Sequence, residues 1–481
     1  MWAPDLLASP GLLAALAALC AAVYLARRRP LNERGLPLIG SMLPFIRNPR
    51  TFVVERYRKY GQGFTVNLFL QDTAVFLGQE AEKALAKLDN KALAVHWPYH
   101  IRTLLGPRSI SVALPAENAR LRKLVAGTMG PKQLGAYAPE LARLAFDCCE
   151  AWSAREGPFS FMEESARYAM DVATTFLFDQ RFPPDRRDWL VGTFATWLGG
   201  FATLLPVEVP GTVFGKGMAA RRELIAFFGE CLADIRGGGG ATAAAAARES
   251  GHRSALSRLM EARDDAGDVL DDATLKDTML TLIFAGHDTT AHTMSSLLWH
   301  LREHPDILAR LRAELDTRWD GRPESLTYDL LMSDALPVLD AVVKETLRLT
   351  PAVVQSPRQV ISDAEVAGVR LCAGDGAIFS HVGTHTVEDP SAPGLEAPEA
   401  FQPDRFLGAE PLDKANPYAF VPFGAGPRMC LGYQLARLEV KAFVAVLARH
   451  WEWEVPDGSL SPFPIYAWMV TMTPPRKRGS A

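Results

Sequence analysis

The chain has 481 residues, a formal net charge of −4 and 48% hydrophobic residues. That is enough to bury a large core, and too little basic excess for a nucleic-acid partner. Six cysteines in so long a chain make no disulfide framework, and no CxxC or Cys/His zinc spacing occurs, so the bulk of the chain reads as residing in a reducing compartment. At the N-terminus, Leu6 to Ala26 is almost wholly apolar and is followed by Arg27, Arg28, Arg29 and Pro30. As a helix this run spans about 31 Å, about one hydrocarbon core. A cleaved signal peptide is the alternative, because Pro10 and Gly11 shorten the clean run to the length of an h-region. The positive cluster follows the apolar run, however, and no small-x-small cleavage site comes next. Residues 1–30 are therefore expected to be an uncleaved anchor with a basic stop, leaving the rest of the chain in the cytosol. The segment is too apolar for a plastid transit peptide.

Gly35 to Phe45 mixes Gly, Pro and apolar residues and reads as a stiff connector. Gly61 to Gly78 alternates and is rich in Thr, Val and Phe, which predicts a β-hairpin. Helical patterns run from about Glu117 to Arg236. The low-complexity segment 236–251 is expected to be a mobile loop inserted between helices. Helices resume to about Leu349, short strands are expected between Pro351 and Phe379, and a last helix runs from about Leu431 to His450. No internal repeat occurs. The predicted fold is mainly α with a small β portion, with 31–481 as a single domain.

Cys430 stands just before that last helix, where free N–H groups and the helix dipole favour a thiolate. Gly426 and Gly432 let backbone approach something flat and bulky, Phe423 can pack on it, and Arg428 can meet an acidic group. A haem meets these needs: iron wanting an axial thiolate, an apolar face and charged propionates. A buried structural cysteine is the plainer alternative. The loop F-x-x-G-x-R-x-C-x-G is complete as Phe423, Gly426, Arg428, Cys430 and Gly432, and it strongly resembles the haem-binding loop of the cytochrome P450 superfamily.

Further stretches carry the same resemblance. Leu280 to Pro305 reads as the second half of a long helix starting near Asp271. Ala285 and Gly286 share a face with Thr289, a small pair beside a hydroxyl; a close helix–helix contact would use the same residues. "AGHDTT" resembles the family's oxygen-activating motif, which implies that Thr289 hydrogen-bonds bound dioxygen, Asp288 feeds protons through water, and Ala285 and Gly286 leave room. "ETLRL" resembles the family's Glu-Arg-Arg core, with Glu345, Arg348 and, from "FQPDRF", Arg405 in a structural network; a surface salt bridge is the ordinary reading of Glu345 and Arg348. Arg122 in "ARLRKLV" and Arg358 after "PAVVQSP" match arginines that hold propionates, with His385 a weaker match. Asn118 stands where many relatives have Trp or His.

The resemblance implies a P450 fold with haem b held between the long central helix and the C-terminal cysteine-loop helix. It also implies a monooxygenase that inserts one atom of dioxygen into an apolar substrate. Electrons would come from NADPH through a separate flavoprotein reductase, in the endoplasmic reticulum membrane. A haem-thiolate isomerase or peroxide-rearranging enzyme, or a non-catalytic haem sensor, are the alternatives; the intact Asp288–Thr289 pair argues against both. Arg437 and Lys441, one turn apart, could dock an acidic partner or form an ordinary solvated face. Leu204 to Leu224, with "VPGTVFGKGMAAR", resembles the corresponding loop of sterol, retinoid and plant steroid-hormone hydroxylases, which implies an isoprenoid-derived substrate. Val95 to Gly106 is expected to roof the pocket, with Trp97 and Leu104 either touching substrate or packing. His287 and His292 are expected to be structural.

Overall fold

The longest helix described, Asp272–Glu303, begins and ends where its sequence says it should. The side chain of Asp271 accepts the Thr274 N–H at 2.9 Å, an N-cap bond that satisfies an orphan donor. Pro305 opens the next helix, so His304 leaves helical geometry at φ −129°. The computed structural model describes residues 31–36, 39–68, 71–203, 206–237, 254–389, 392–456, 462–463, 467–468 and 471–479. The anchor expected over 1–30 lies outside these residues. So does the low-complexity segment beyond Gly237; its first two residues, Arg236 and Gly237, belong to the helix Val213–Gly237. Among the described residues no helix is long and apolar enough to cross a membrane.

The chain forms two compact units. The first comprises residues 1–95, 353–399 and 415–428. Its centre is a five-stranded sheet in the order Gly63–Leu68, Gln71–Phe76, Gly376–Phe379, Ser356–Val360 and Leu93–Ala94. The first two strands are the expected hairpin, antiparallel with Phe64 opposite Val75. Gln71–Phe76 then pairs in parallel with Gly376–Phe379, and the Phe76 and Phe379 rings stack at 5.3 Å. β-branched and aromatic residues suit these buried strands. Phe52 and Val53 of the helix Pro49–Tyr60 cover one side with Phe64 and Val66; Ala81 and Leu85 of the helix Gln79–Leu88 pack with Phe76 and Phe379.

The second unit comprises residues 96–352, 400–414 and 429–481 and is mainly helical. The long helix packs along Phe161–Phe178, and the cysteine helix Tyr433–His450 packs on Pro131–Ser153. Short two-stranded pieces, such as Thr471–Met472 with Phe159–Ser160, join the ends of helices. The cysteine helix is buried throughout from Leu438 to Ala448. This corrects the expected solvated face: Glu439 and Lys441 are 3% and 1% exposed. Lys441 donates to the Leu331 carbonyl at 2.8 Å and pairs with Asp340 at 2.5 Å, while Arg437 pairs with Asp340 at 2.6 Å. A buried ammonium with a carbonyl and a carboxylate for company needs no solvent, and it offers nothing to a docking partner.

Candidate active site

In the second unit, Gly432 caps the cysteine helix and Cys430 stands two residues before it. The Cys430 side chain is exposed, yet crowding raises its thiol above the ordinary value. Burial is the main cause; the Gly432 N–H donated to the sulfur and the nearby Arg122 act the other way and do not win. The Gly432 N–H and Arg122 thus act in the direction expected of this helix end, against the effect of burial. The exposed side chain leaves its sulfur open to a ligand. A Cβ added at Gly432 would meet nothing within 4 Å, so space is open beside the sulfur as well.

The long helix also borders open space. Between Thr274 and Leu298, Ala285 is the one exposed residue, and Gly286, Asp288 and Thr289 are half-buried. A Cβ at Gly286 would also meet nothing within 4 Å, so the small pair borders open space and is not a close helix–helix contact. The Thr289 hydroxyl donates to the Ala285 carbonyl at 2.6 Å, which leaves its oxygen lone pairs to accept. Burial raises the Asp288 carboxyl above the usual carboxylate range. One turn of helix thereby offers a small-walled opening, an oriented hydroxyl and a carboxyl that holds its proton more readily than an exposed one.

The other expected residues fall into two groups. Arg122 donates Nη2–H to the Met429 carbonyl at 2.6 Å, bracing the residue next to Cys430. Asn118 donates to the Ile110 carbonyl at 2.7 Å and is buried, so it braces the loop before its own helix. Glu345, Arg348 and Arg405 come together as expected: Glu345 accepts Arg348 Nε–H at 2.7 Å and Arg405 Nε–H at 3.1 Å. Leu104 is fully buried and Trp97 donates to the Ser111 carbonyl at 3.1 Å. Two of the three glycines of "VPGTVFGKG" serve close packing: a Cβ on Gly215 would lie 2.2 Å from the Val209 carbonyl oxygen, and one on Gly217 3.0 Å from Gly200 Cα. His287 and His292 are buried, and burial lowers the His287 pKa to about 4.

In the first unit, Gly426 has φ +72°, and a Cβ there would lie 2.7 Å from Ala86 Cα; only glycine fits that crossing. Phe423 is half-buried. Arg428 donates Nε–H to Asn90 Oδ1 at 3.0 Å. Arg358 is buried and forms a bidentate pair with Asp89, both arms at 2.9 Å. His385 accepts the Val421 N–H at 2.9 Å. Sequence reasoning missed Asp89 and Asn90, which carry no motif. It also missed a buried relay: Glu82 Oε1 lies 3.0 Å from His381 Nδ1, and His381 Nε2 lies 2.8 Å from Ser356 Oγ.

Within the second unit, an accessible thiol ahead of a helix, a turn of small residues bordering open space, and Arg122 beside the cysteine suit an iron-bearing group with an acidic substituent. The chain matches the family model for cytochrome P450 over residues 30–478. It is 30% identical to the cytochrome P450 120 of Synechocystis sp. over 89% of this chain and 91% of the relative. It is 29% identical to cytochrome P450 26A1 of Gallus gallus over 89% of this chain and 86% of the relative. A solved structure described as "Retinoic acid bound cyanobacterial CYP120A1" superposes with a TM-score of 0.78 at 29% identity, covering 92% of this chain and 98% of that one. With the cysteine loop, the "AGHDTT" turn and the whole-length fold in agreement, the chain belongs to the cytochrome P450 family.

Proposed function

We propose that this P450 monooxygenase oxidises an apolar isoprenoid, with a retinoid as the first candidate, using electrons passed from NADPH by a separate flavoprotein reductase. The observation that carries the substrate reading is the whole-length similarity to a solved cyanobacterial structure with retinoic acid bound. The sequence resemblance of the segment 204–224 to isoprenoid hydroxylases supports it independently, although from Val213 onward this segment is helix and not the expected loop. The exposed Val207 and Val209, and Val213 at the first position of the following helix, suit a lipid-soluble substrate. The apolar run Leu6–Ala26 with its three arginines supports anchoring at the endoplasmic reticulum, with one catalytic domain over 31–481 in the cytosol.

The family implies a haem bound through a cysteine thiolate, and Cys430 is the ligand this chain offers. When bound, such a group activates dioxygen, so that one oxygen atom enters a C–H or C=C bond and the other leaves as water. The protein's share is positional. Ala285 and Gly286 keep an opening of small walls. Thr289, its own proton committed to the Ala285 carbonyl, would present an acceptor oxygen to a proton donor in that opening. Asp288, whose carboxyl burial raises above the usual range, is suited to pass protons. Phe423, Gly426 and Gly432 shape the cysteine loop, and Arg122, Arg358 and Arg428 are assigned to the carboxylate arms.

The test is the absorbance spectrum of the dithionite-reduced protein with carbon monoxide, in wild type and Cys430→Ala. A strongly red-shifted Soret band in wild type, lost in the variant, is expected. Retinoic acid should then be oxidised only with NADPH and a reductase. A thiolate band with reductase-independent turnover would mean a rearranging enzyme instead. A folded wild type that takes up no haem would refute the assignment.

A further inference from the structure

We propose that the corner Asp89–Asn90 is a positioning element for the haem carboxylates, acting through Arg358 and Arg428 and setting both haem retention and haem potential. The proposal rests on the haem-thiolate reading above.

The corner is built to be stiff. The helix Gln79–Leu88 stops at Asp89, whose backbone turns extended. Asn90 follows at φ +64°, a left-handed conformation that Asn tolerates better than most residues. The turn is tied by Lys91 N–H to Leu88 O at 3.0 Å and Asn90 N–H to Leu93 O at 2.8 Å. Leu93–Ala94 then joins the sheet against the strand carrying Arg358.

Two guanidinium groups converge on this one turn. Arg358 and Asp89 lie 269 residues apart in the chain, and their side chains are 7% and 0% exposed. Asp89 takes Nε–H and one Nη2–H of Arg358, and the Pro357 carbonyl takes one Nη1–H at 2.9 Å. One N–H on each terminal nitrogen is then left for another acceptor, since a guanidinium has five. The next residue, Asn90, takes the Nε–H of Arg428 at 3.0 Å. A buried ion pair is weak evidence for stability, because desolvation offsets much of the attraction. Neighbouring residues orienting two arginines, both matched by resemblance to the haem site, fit a positioning role better. The charge sign adds a consequence. Asp89 cancels one of the two cations, so removing its charge makes the surroundings of the carboxylates more positive. That favours the reduced, more negative haem and raises its potential.

The experiment uses the full-length holoprotein. For wild type, Asp89→Asn, Asp89→Glu and Asn90→Gly it measures the carbon monoxide spectrum, haem transfer to excess apomyoglobin, midpoint potential and thermal unfolding. Asp89→Asn is expected to keep the thiolate band, raise the midpoint potential, and lose haem roughly tenfold faster, the scale of outer-shell partners. Asp89→Glu should restore much of the potential. Asn90→Gly keeps the left-handed turn but not the acceptor, and should lose haem several-fold faster with little change in potential. It decides the matter if Asp89→Asn does not fold. Wild-type potential and haem retention in the variants, with only thermal stability lowered, would overturn the proposal while leaving the haem assignment intact. A wild type without the thiolate band would remove both.

Discussion

The ammonium of Lys441 lies 2.5 Å from Oδ1 of Asp340, and the lysine side chain is 1% exposed. Arg437 meets the same oxygen at 2.6 Å, and Lys344 meets Oδ2 at 2.7 Å. Burial alone would raise the Asp340 carboxyl, but Lys441, Arg437 and Lys344 outweigh it and hold the group well below the carboxylate range. For Lys441 burial wins over Asp340 and lowers its pKa from 10.5 to about 8. Between those values the unfolded chain holds a proton that the folded chain lacks, so stability gains with rising pH from this residue. The slope is at most about 1.4 kcal/mol per pH unit. Urea unfolding from pH 7 to 10 should show that gain in wild type relative to Lys441→Met; parallel profiles would refute it. Asp340→Asn, which leaves three cations facing a neutral amide, should cost about 3–5 kcal/mol.

Glu345 is fully buried and accepts from Arg348 Nε at 2.7 Å, Arg348 Nη2 at 2.8 Å, Arg405 Nε at 3.1 Å and the Gln402 N–H at 2.7 Å. It ties the helix Pro337–Leu349 to the segment containing Arg405. Glu345→Gln strands two buried guanidinium groups and should cost about 3–5 kcal/mol. Arg405→Lys keeps the charge and loses the directed Nε–H, at about 1.5–3 kcal/mol. Soluble yield and denaturant midpoint report both, and a Glu345→Gln protein as stable as wild type would show the network to be idle.

Local signals explain what could be read from the sequence. Asp271 as cap, Pro305 as stop and the hairpin of Gly61–Gly78 each act within a few residues, and the cysteine loop is one contiguous motif. Glu345 and Arg348 sit one turn apart, so only Arg405 needed long-range inference. The rest depended on distance in the chain. Lys441 read as a surface charge because its helix pattern does not reveal Asp340, and Arg437 lies 97 residues from that same carboxylate. Asp89 ends a short helix and is indistinguishable in sequence from a cap; its partner is brought by sheet pairing. Gly215 and Gly217 look like a family signature but are required by the carbonyl and the glycine they touch.

His287 faces inward from the long helix, and its Nε2 has no hydrogen-bond partner among the described residues. Burial lowers its pKa from 6.5 to about 4. Between these values the unfolded chain takes up a proton that the folded chain refuses, so stability falls as pH drops from 6.5 towards 4. His287→Leu should flatten that part of the profile. Unfolding midpoints at pH 7 and pH 5 give the comparison, and an equal loss in wild type and variant would exclude His287 as the cause.

Thr289→Ala removes the hydroxyl that Ala285 orients at 2.6 Å while leaving a helix-favouring residue. Folding and haem content should be unchanged, and product formed should fall roughly 100-fold, the scale of positioned proton transfer. NADPH consumption with a reductase should fall much less. Product and NADPH counted in the same assay test this; a parallel fall in both would place the loss in electron delivery instead.

Two glycines predicted for one site should respond with opposite sign. At Gly426 an added methyl meets Ala86 Cα at 2.7 Å with φ at +72°, so Gly426→Ala should cost about 1–3 kcal/mol from the backbone conformation alone. At Gly286 an added methyl meets no atom within 4 Å and the residue lies inside a helix, so Gly286→Ala should stabilise the haem-free protein by up to about 1 kcal/mol. The same methyl intrudes on the opening beside Thr289, so turnover by the holoprotein should drop although the fold is firmer. Unfolding of the haem-free variants and turnover of the loaded ones separate the two effects. A Gly286→Ala protein that is stabilised and fully active would show that the open space beside this turn takes no part in the reaction.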